Sequence, residues 1–176
     1  TRRYPYSGVE MRRVDFEHLG GHSALYLTDG RRAYFVPKKE GPDLLTAYDL
    51  EDFERLWRVE LPGEVDAGYN RFAFREHDVA VVKIDAVLYG FDAETGEVRW
   101  ALKVGGDRSP IAASSERLYL LLRRSDEPSR LFALKPEDAE IDWYGPVPTG
   151  TLEVDWVDGE LIVRSIRAVQ HVPNAD

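Results

Sequence analysis

The chain has 176 residues, a formal net charge of −9, 43% apolar and 31% charged residues, and no cysteine. That balance fits one folded domain with a sizeable core and excludes a disordered chain. The missing thiols exclude disulfides, thiolate metal sites and cysteine nucleophiles; the acidity removes the generic attraction to phosphate backbones, so no nucleic-acid partner is expected.

The N-terminus, Thr1-Arg2-Arg3-Tyr4-Pro5, lacks the apolar core of a secretory signal. No apolar run approaches the roughly 20 residues that span a bilayer, so no membrane insertion is expected. The compartment stays open between the cytoplasm and an exported, trimmed chain. Glu10–Phe16 reads as a strand without partners nearby in the sequence. His18 and His22 stand four apart, but Leu19-Gly20-Gly21 between them breaks any helix that would align two ligands. No metal and no cofactor are expected.

From His22 onward, short apolar runs alternate with turn chemistry, and no segment keeps a helical period over three turns. The expected strands are His22–Leu27, Arg31–Val36, Leu44–Tyr48 and Glu54–Leu61; then Asn70–Arg75, Val79–Lys83, Ala86–Phe91 and Glu97–Val104; then Pro110–Ser114, Arg117–Leu122, Arg130–Leu134 and Glu140–Tyr144. Three more follow, Thr151–Trp156, Glu160–Ser165 and Ala168–Pro173, the first two joined by the hairpin signal Asp158-Gly159. His77, in a turn, reads as exposed.

The runs belong to a repeat. Trp57, Trp100 and Trp143 are spaced by 43 residues, and Ala47, Gly90 and Ala133 each stand ten residues ahead of one of them. A period near 43 is that of a four-stranded propeller blade. Asp49 and Asp92 end strands and can cap the following turn, Gly96 supplies a positive φ, and each indole buries a large area while needing one acceptor for its N–H. The tryptophans are thus read as anchors that hold blades together.

The expected fold is all-β, a small propeller of four four-stranded blades at about residues 22–61, 69–104, 110–144 and 151–173. Arg13-Val14-Asp15-Phe16 matches Arg58-Val59-Glu60-Leu61 at the end of the first blade. The N-terminal strand, residues 10–16, is therefore expected to complete the last blade and cover the open sheet edges. The competing arrangement is a half-ring that pairs with a second copy, which leaves a homodimer open.

At Gly90–Trp100 the pattern small–aromatic–Asp–Ala–x–Thr–Gly–x–x–x–Trp resembles the tryptophan-docking motif of PQQ-like (pyrroloquinoline-quinone-like) propeller repeats. The match is strong in the second blade and weaker in the first and third, where Phe53-Glu54 and Ala139-Glu140 are aligned with Thr95-Gly96. The resemblance implies a propeller whose tryptophans dock between neighbouring blades. Quinoprotein dehydrogenases of this family carry a quinone and calcium on eight blades and use a vicinal cysteine pair. This chain has half the blades and no cysteine, so the fold implication carries over and the enzymatic one does not. Other members are scaffolds, such as envelope assembly factors and sensor domains.

Function is expected in the long loops. Pro37–Asp43 and Arg123–Ser129 connect the second and third strands of their blades, whereas the equivalent turn of the second blade is minimal. In an up-and-down blade these loops share an end with the connectors between blades, including Gly105–Pro110. Lys38, Lys39, Asp107, Arg108, Arg123 and Arg124 therefore define an expected partner-binding face. The first reading is a non-catalytic protein-interaction or scaffold module, either free-standing or a subunit of a larger assembly. The alternatives are an enzyme that binds a quinone or sugar in the central channel, and an acidic immunity or inhibitor protein. No catalytic residue is assigned: the carboxylate pairs sit in polar turns, and Ser114-Ser115 lacks a nucleophile context.

Overall fold

A computed structural model describes residues 23–37, 43–63, 71–104, 111–122, 128–148, 150–165 and 169–172. It is an all-β propeller. The first blade contains β1 (Ser23–Thr28), β2 (Arg32–Pro37), β3 (Leu44–Asp49) and β4 (Arg55–Glu60). The second contains β5 (Arg71–Phe74), β6 (Val79–Ile84), β7 (Val87–Asp92) and β8 (Val98–Lys103). The third contains β9 (Ile111–Ala113), β10 (Leu118–Leu122), β11 (Arg130–Leu134) and β12 (Ile141–Pro146). The last sheet holds β13 (Thr151–Val157), β14 (Glu160–Ser165) and β15 (Val169–Val172). Within each sheet, strands adjacent in sequence pair antiparallel. Among the described residues the sole helical element is a 3₁₀ turn at Arg75–His77, and no helix is long and apolar enough to cross a membrane. The expected N-terminal strand, residues 10–16, lies outside the described residues.

The core sits between blades rather than within them. One cluster joins Tyr34, Leu45, Ala47 and Trp57 of the first blade to Ala80, Val82, Phe91 and Ala93 of the second. A second joins Val79, Val81, Leu88 and Trp100 to Leu118, Leu120 and Leu134 of the third. A third joins Tyr119, Leu121, Leu131 and Ala133 to Val154, Leu161 and Val163 of the last sheet. This explains β6, whose six residues are all buried. Both faces of that strand meet a neighbouring sheet, so alternation gives way to a near-continuous apolar run. Even Lys83 is drawn into the interior there. Inner strands of successive blades pack side by side, β1 against β5 and β9 against β13, as they must around a common axis.

Each tryptophan sits opposite the small residue of the preceding strand: Trp57 faces Ala47, Trp100 faces Gly90 and Trp143 faces Ala133. Beside each pair the register shifts by one, so Leu56, Arg99 and Asp142 occupy a bulge. Gly90 has a steric reason: a Cβ there would overlap the Trp100 indole at Cε2, Nε1 and Cζ2.

Candidate interaction surface

Strand direction divides the molecule into two ends. One gathers the β1–β2, β3–β4, β5–β6 and β7–β8 turns and their equivalents; the other gathers the β2–β3 type hairpins and the connectors between blades. Lys38, Lys39, Asp107, Arg108, Arg123 and Arg124 lie outside the described residues. The strand ends that flank them, Pro37 and Leu44, Lys103 and Ile111, Leu122 and Arg130, all belong to the second end.

At the first end the chain is fixed by short side chains that bond their own backbone. Asp29 Oδ1 accepts from Arg31 N at 2.8 Å and Arg32 N at 2.6 Å. Asp49 Oδ1 accepts from Glu51 N at 2.7 Å. Asp92 Oδ1 accepts from Glu94 N at 2.9 Å and Thr95 N at 2.8 Å. Burial alone would raise the Asp92 carboxyl; the Arg99 guanidinium and the Thr95 and Glu94 N–H groups outweigh it and hold the group at about 2.

These turns receive the tryptophans of the preceding blade. Trp57 Nε1 donates to Ala93 O at 2.9 Å, and Trp100 Nε1 donates to Pro136 O at 2.9 Å. Both indoles are buried, at 7% and 9% exposure. Gly96, at φ +77°, lies flat under Trp57; a Cβ there would come within 2.7 Å of the ring. Among the described residues no such acceptor stands at Trp143. That ring is half-buried and leans on Tyr119, centroids 6.2 Å apart, while Tyr119 stacks on Trp156 at 5.4 Å.

The backbone corrects the alignment of the degenerate turns. Positive φ falls on Phe53, Gly96 and Ala139, at 62°, 77° and 60°. Gly96 therefore corresponds to Phe53 and Ala139, with no shift, and Thr95 corresponds to Asp52 and Asp138. The sequence comparison went astray because it followed residue type, whereas the turn fixes the conformation even where a Cβ makes it costly.

Charge also crosses the seams. Arg32, 2% exposed, places Nη1 3.3 Å from Asp29 Oδ2 and 2.9 Å from Asp78 Oδ1, and Nη2 3.5 Å from Glu94 Oε1. Tyr34 donates to Asp29 Oδ2 at 3.1 Å. Burial, and then the Asp29 charge, push that phenol well above its ordinary value. Between the second and third blades, His77 Nδ1 lies 3.1 Å from Glu137 Oε2. His77 is thus partly buried, contrary to its sequence reading, with Nε2 enclosed and unpartnered. None of these partners was identified from sequence. A signal existed: Glu51, Glu94 and Glu137 recur at the tryptophan spacing.

An open cleft of about 380 Å³ lies at this end, lined by Gly30, Arg31, Asp49, Leu50, Glu51 and Arg75. Among the described residues no group of three or more acids or histidines is placed to hold a metal ion.

The family model described as outer membrane protein assembly factor BamB matches residues 7–169. No curated protein matches the chain. Among solved structures, BamB from Moraxella catarrhalis is 17% identical with a TM-score of 0.49, covering 77% of this chain and 40% of that one. A europium-containing methanol dehydrogenase is 13% identical with a TM-score of 0.49, covering 78% and 29%. A eukaryotic initiation factor is 9% identical with a TM-score of 0.58, covering 85% and 41%. The chain thus spans less than half the length of each.

Proposed function

From the premise that this chain belongs to the BamB family of PQQ-like repeat propellers, we propose that it is a non-catalytic protein-interaction module within a larger assembly. The observation that carries the reading is where the chemistry is used. Indole donors, caps and buried ion pairs are committed to the seams between blades, which makes a rigid frame. Loops on a rigid frame are where recognition concentrates. The proposed face is the end that carries Lys38, Lys39, Asp107, Arg108, Arg123 and Arg124, opposite the docking turns. The basic doublets Lys38-Lys39 and Arg123-Arg124 would steer an acidic partner surface and raise the association rate more than the final affinity.

The test has two stages. The full chain serves as bait in an extract of its host, and a co-purifying protein is then titrated in purified form. Reversing the charge of Lys38, Lys39, Arg123 and Arg124 together is expected to weaken that complex at least about tenfold and flatten its salt dependence. Unchanged affinity would reject this face.

A further inference from the structure

Two seams use the same pair of acceptors on the receiving blade. Between the first and second blades, Trp57 Nε1 donates to Ala93 O at 2.9 Å, and Arg32 Nη2 lies 3.5 Å from Glu94 Oε1. Between the second and third, Trp100 Nε1 donates to Pro136 O at 2.9 Å, and His77 Nδ1 lies 3.1 Å from Glu137 Oε2. Each docking blade thus brings an indole and a basic side chain. Each receiving turn answers with a carbonyl and the glutamate that follows it. Leu50-Glu51, Ala93-Glu94 and Pro136-Glu137 stand at the same repeat position.

The first-blade turn is built as a third receiver. Asp49 N donates to Glu54 O at 2.9 Å and Phe53 N to Asp49 O at 3.1 Å, as Asp92 N does to Glu97 O at 2.8 Å and Gly96 N to Asp92 O at 2.8 Å. Asp49 Oδ1 takes Glu51 N at 2.7 Å, as Asp92 Oδ1 takes Glu94 N at 2.9 Å. Yet among the described residues no indole reaches Leu50 O. No basic group there pairs with the Glu51 carboxylate either, although Arg31 and Arg75 line the same open cleft. The left-handed position does not exclude an indole, because Ala139 holds it in the cluster that packs around Trp100. At Phe53, 36% exposed, that position carries a ring against which a second ring can pack.

The chain has no tryptophan left for this turn. It contains four. Trp57 and Trp100 are docked, and Trp143 and Trp156 both pack on Tyr119 in the third seam, with centroids 6.2 and 5.4 Å from it. A second copy commits its four in the same way. We propose that the Asp49–Glu54 turn is an interface for a propeller blade of a partner chain, one that presents an indole N–H to Leu50 O and a basic side chain to Glu51. Asp49, Asp52 and Glu54 add negative charge around Glu51, which favours a basic partner edge. The site lies at the end opposite the Lys38 and Arg123 loops, so either interface can fail without the other.

The test titrates tryptamine, which joins an indole N–H to an ammonium group, into the isotope-labelled full chain and follows backbone amide shifts by NMR. Saturable shifts are expected at Glu51, Asp52 and Phe53. None are expected at Glu94 and Thr95 or at Asp138 and Ala139, whose turns are already filled. The ring-N-methylated analogue, which lacks the donor, should bind at least about threefold more weakly. Glu51→Gln should weaken tryptamine about twofold to fivefold. The Glu51 side chain makes no hydrogen bond or ion pair among the described residues, so the fold should stand. No saturable shift at the first-blade turn, equal shifts at all three turns, or equal affinity for the two amines would overturn the proposal. So would a dimer of the chain alone that Trp143→Ala dissolves, since it would seat a second copy on the turn.

Discussion

The seam between the first two blades and the seam between the third blade and the last sheet begin from the same repeat position and end differently. Trp57 is closed in, its N–H is satisfied by Ala93 O, and a glycine makes the floor beneath it. Trp143 faces the same kind of small residue, Ala133, across the same kind of bulge. Yet it is only half-buried and spends its ring on the aromatic group of Tyr119 and Trp156. The lesson is that the repeat encodes the donor, while the neighbouring blade encodes the acceptor. At both seams where the next β3–β4 type turn is described, that turn offers the tryptophan a carbonyl.

The largest expected difference is therefore between tryptophans. Trp57→Ala or Trp100→Ala removes a buried ring and strands a carbonyl, and should cost about 3–5 kcal/mol in urea unfolding. Trp143→Ala should cost about half as much or less, since part of its ring is already in water. Equal losses at all three positions would erase the distinction between the seams.

A smaller effect comes from acid. The folded Asp92 carboxyl, at about 2, lies below its ordinary value of 3.8. A group depressed by folding adds stability above its unfolded value and loses it as pH falls through the folded one. Stability contributed by this turn should thus be complete above about pH 4 and gone near pH 2, a loss of about 1–2 kcal/mol for a group still partly in contact with water. Asp92→Asn should flatten that slope, measured as urea midpoints at pH 6 and pH 2.5.

How much of this was legible depended on how local the cause is. The strands, the spacing of the tryptophans and the small residue facing each one are properties of single blades, and the 43-residue register exposes them. Asp92 and Gly96 were readable because a turn imposes its own conformational demand. The Arg32 cluster was not readable, because Asp78 and Glu94 reach it from another blade and only docking brings them together. The same holds for His77, which a turn context alone marks as exposed and Glu137 of the next blade encloses. Phe53 and Ala139 were misaligned because tertiary context holds them at positive φ against their own preference. Of the expected binding face, only the flanking strand ends fall among the described residues, and the loop residues themselves rest on charge and topology.

The central claim is that Trp57 and Trp100 lock their seams through a carbonyl of the next blade, whereas among the described residues Trp143 has no such acceptor. Hydrogen exchange of the indole N–H groups, followed by NMR under native conditions, reads this directly. Trp57 and Trp100 should exchange only through global opening, on the scale of the full unfolding free energy, and Trp143 orders of magnitude faster. Equal protection at all three indoles, or rapid exchange at Trp57 or Trp100, would contradict the account.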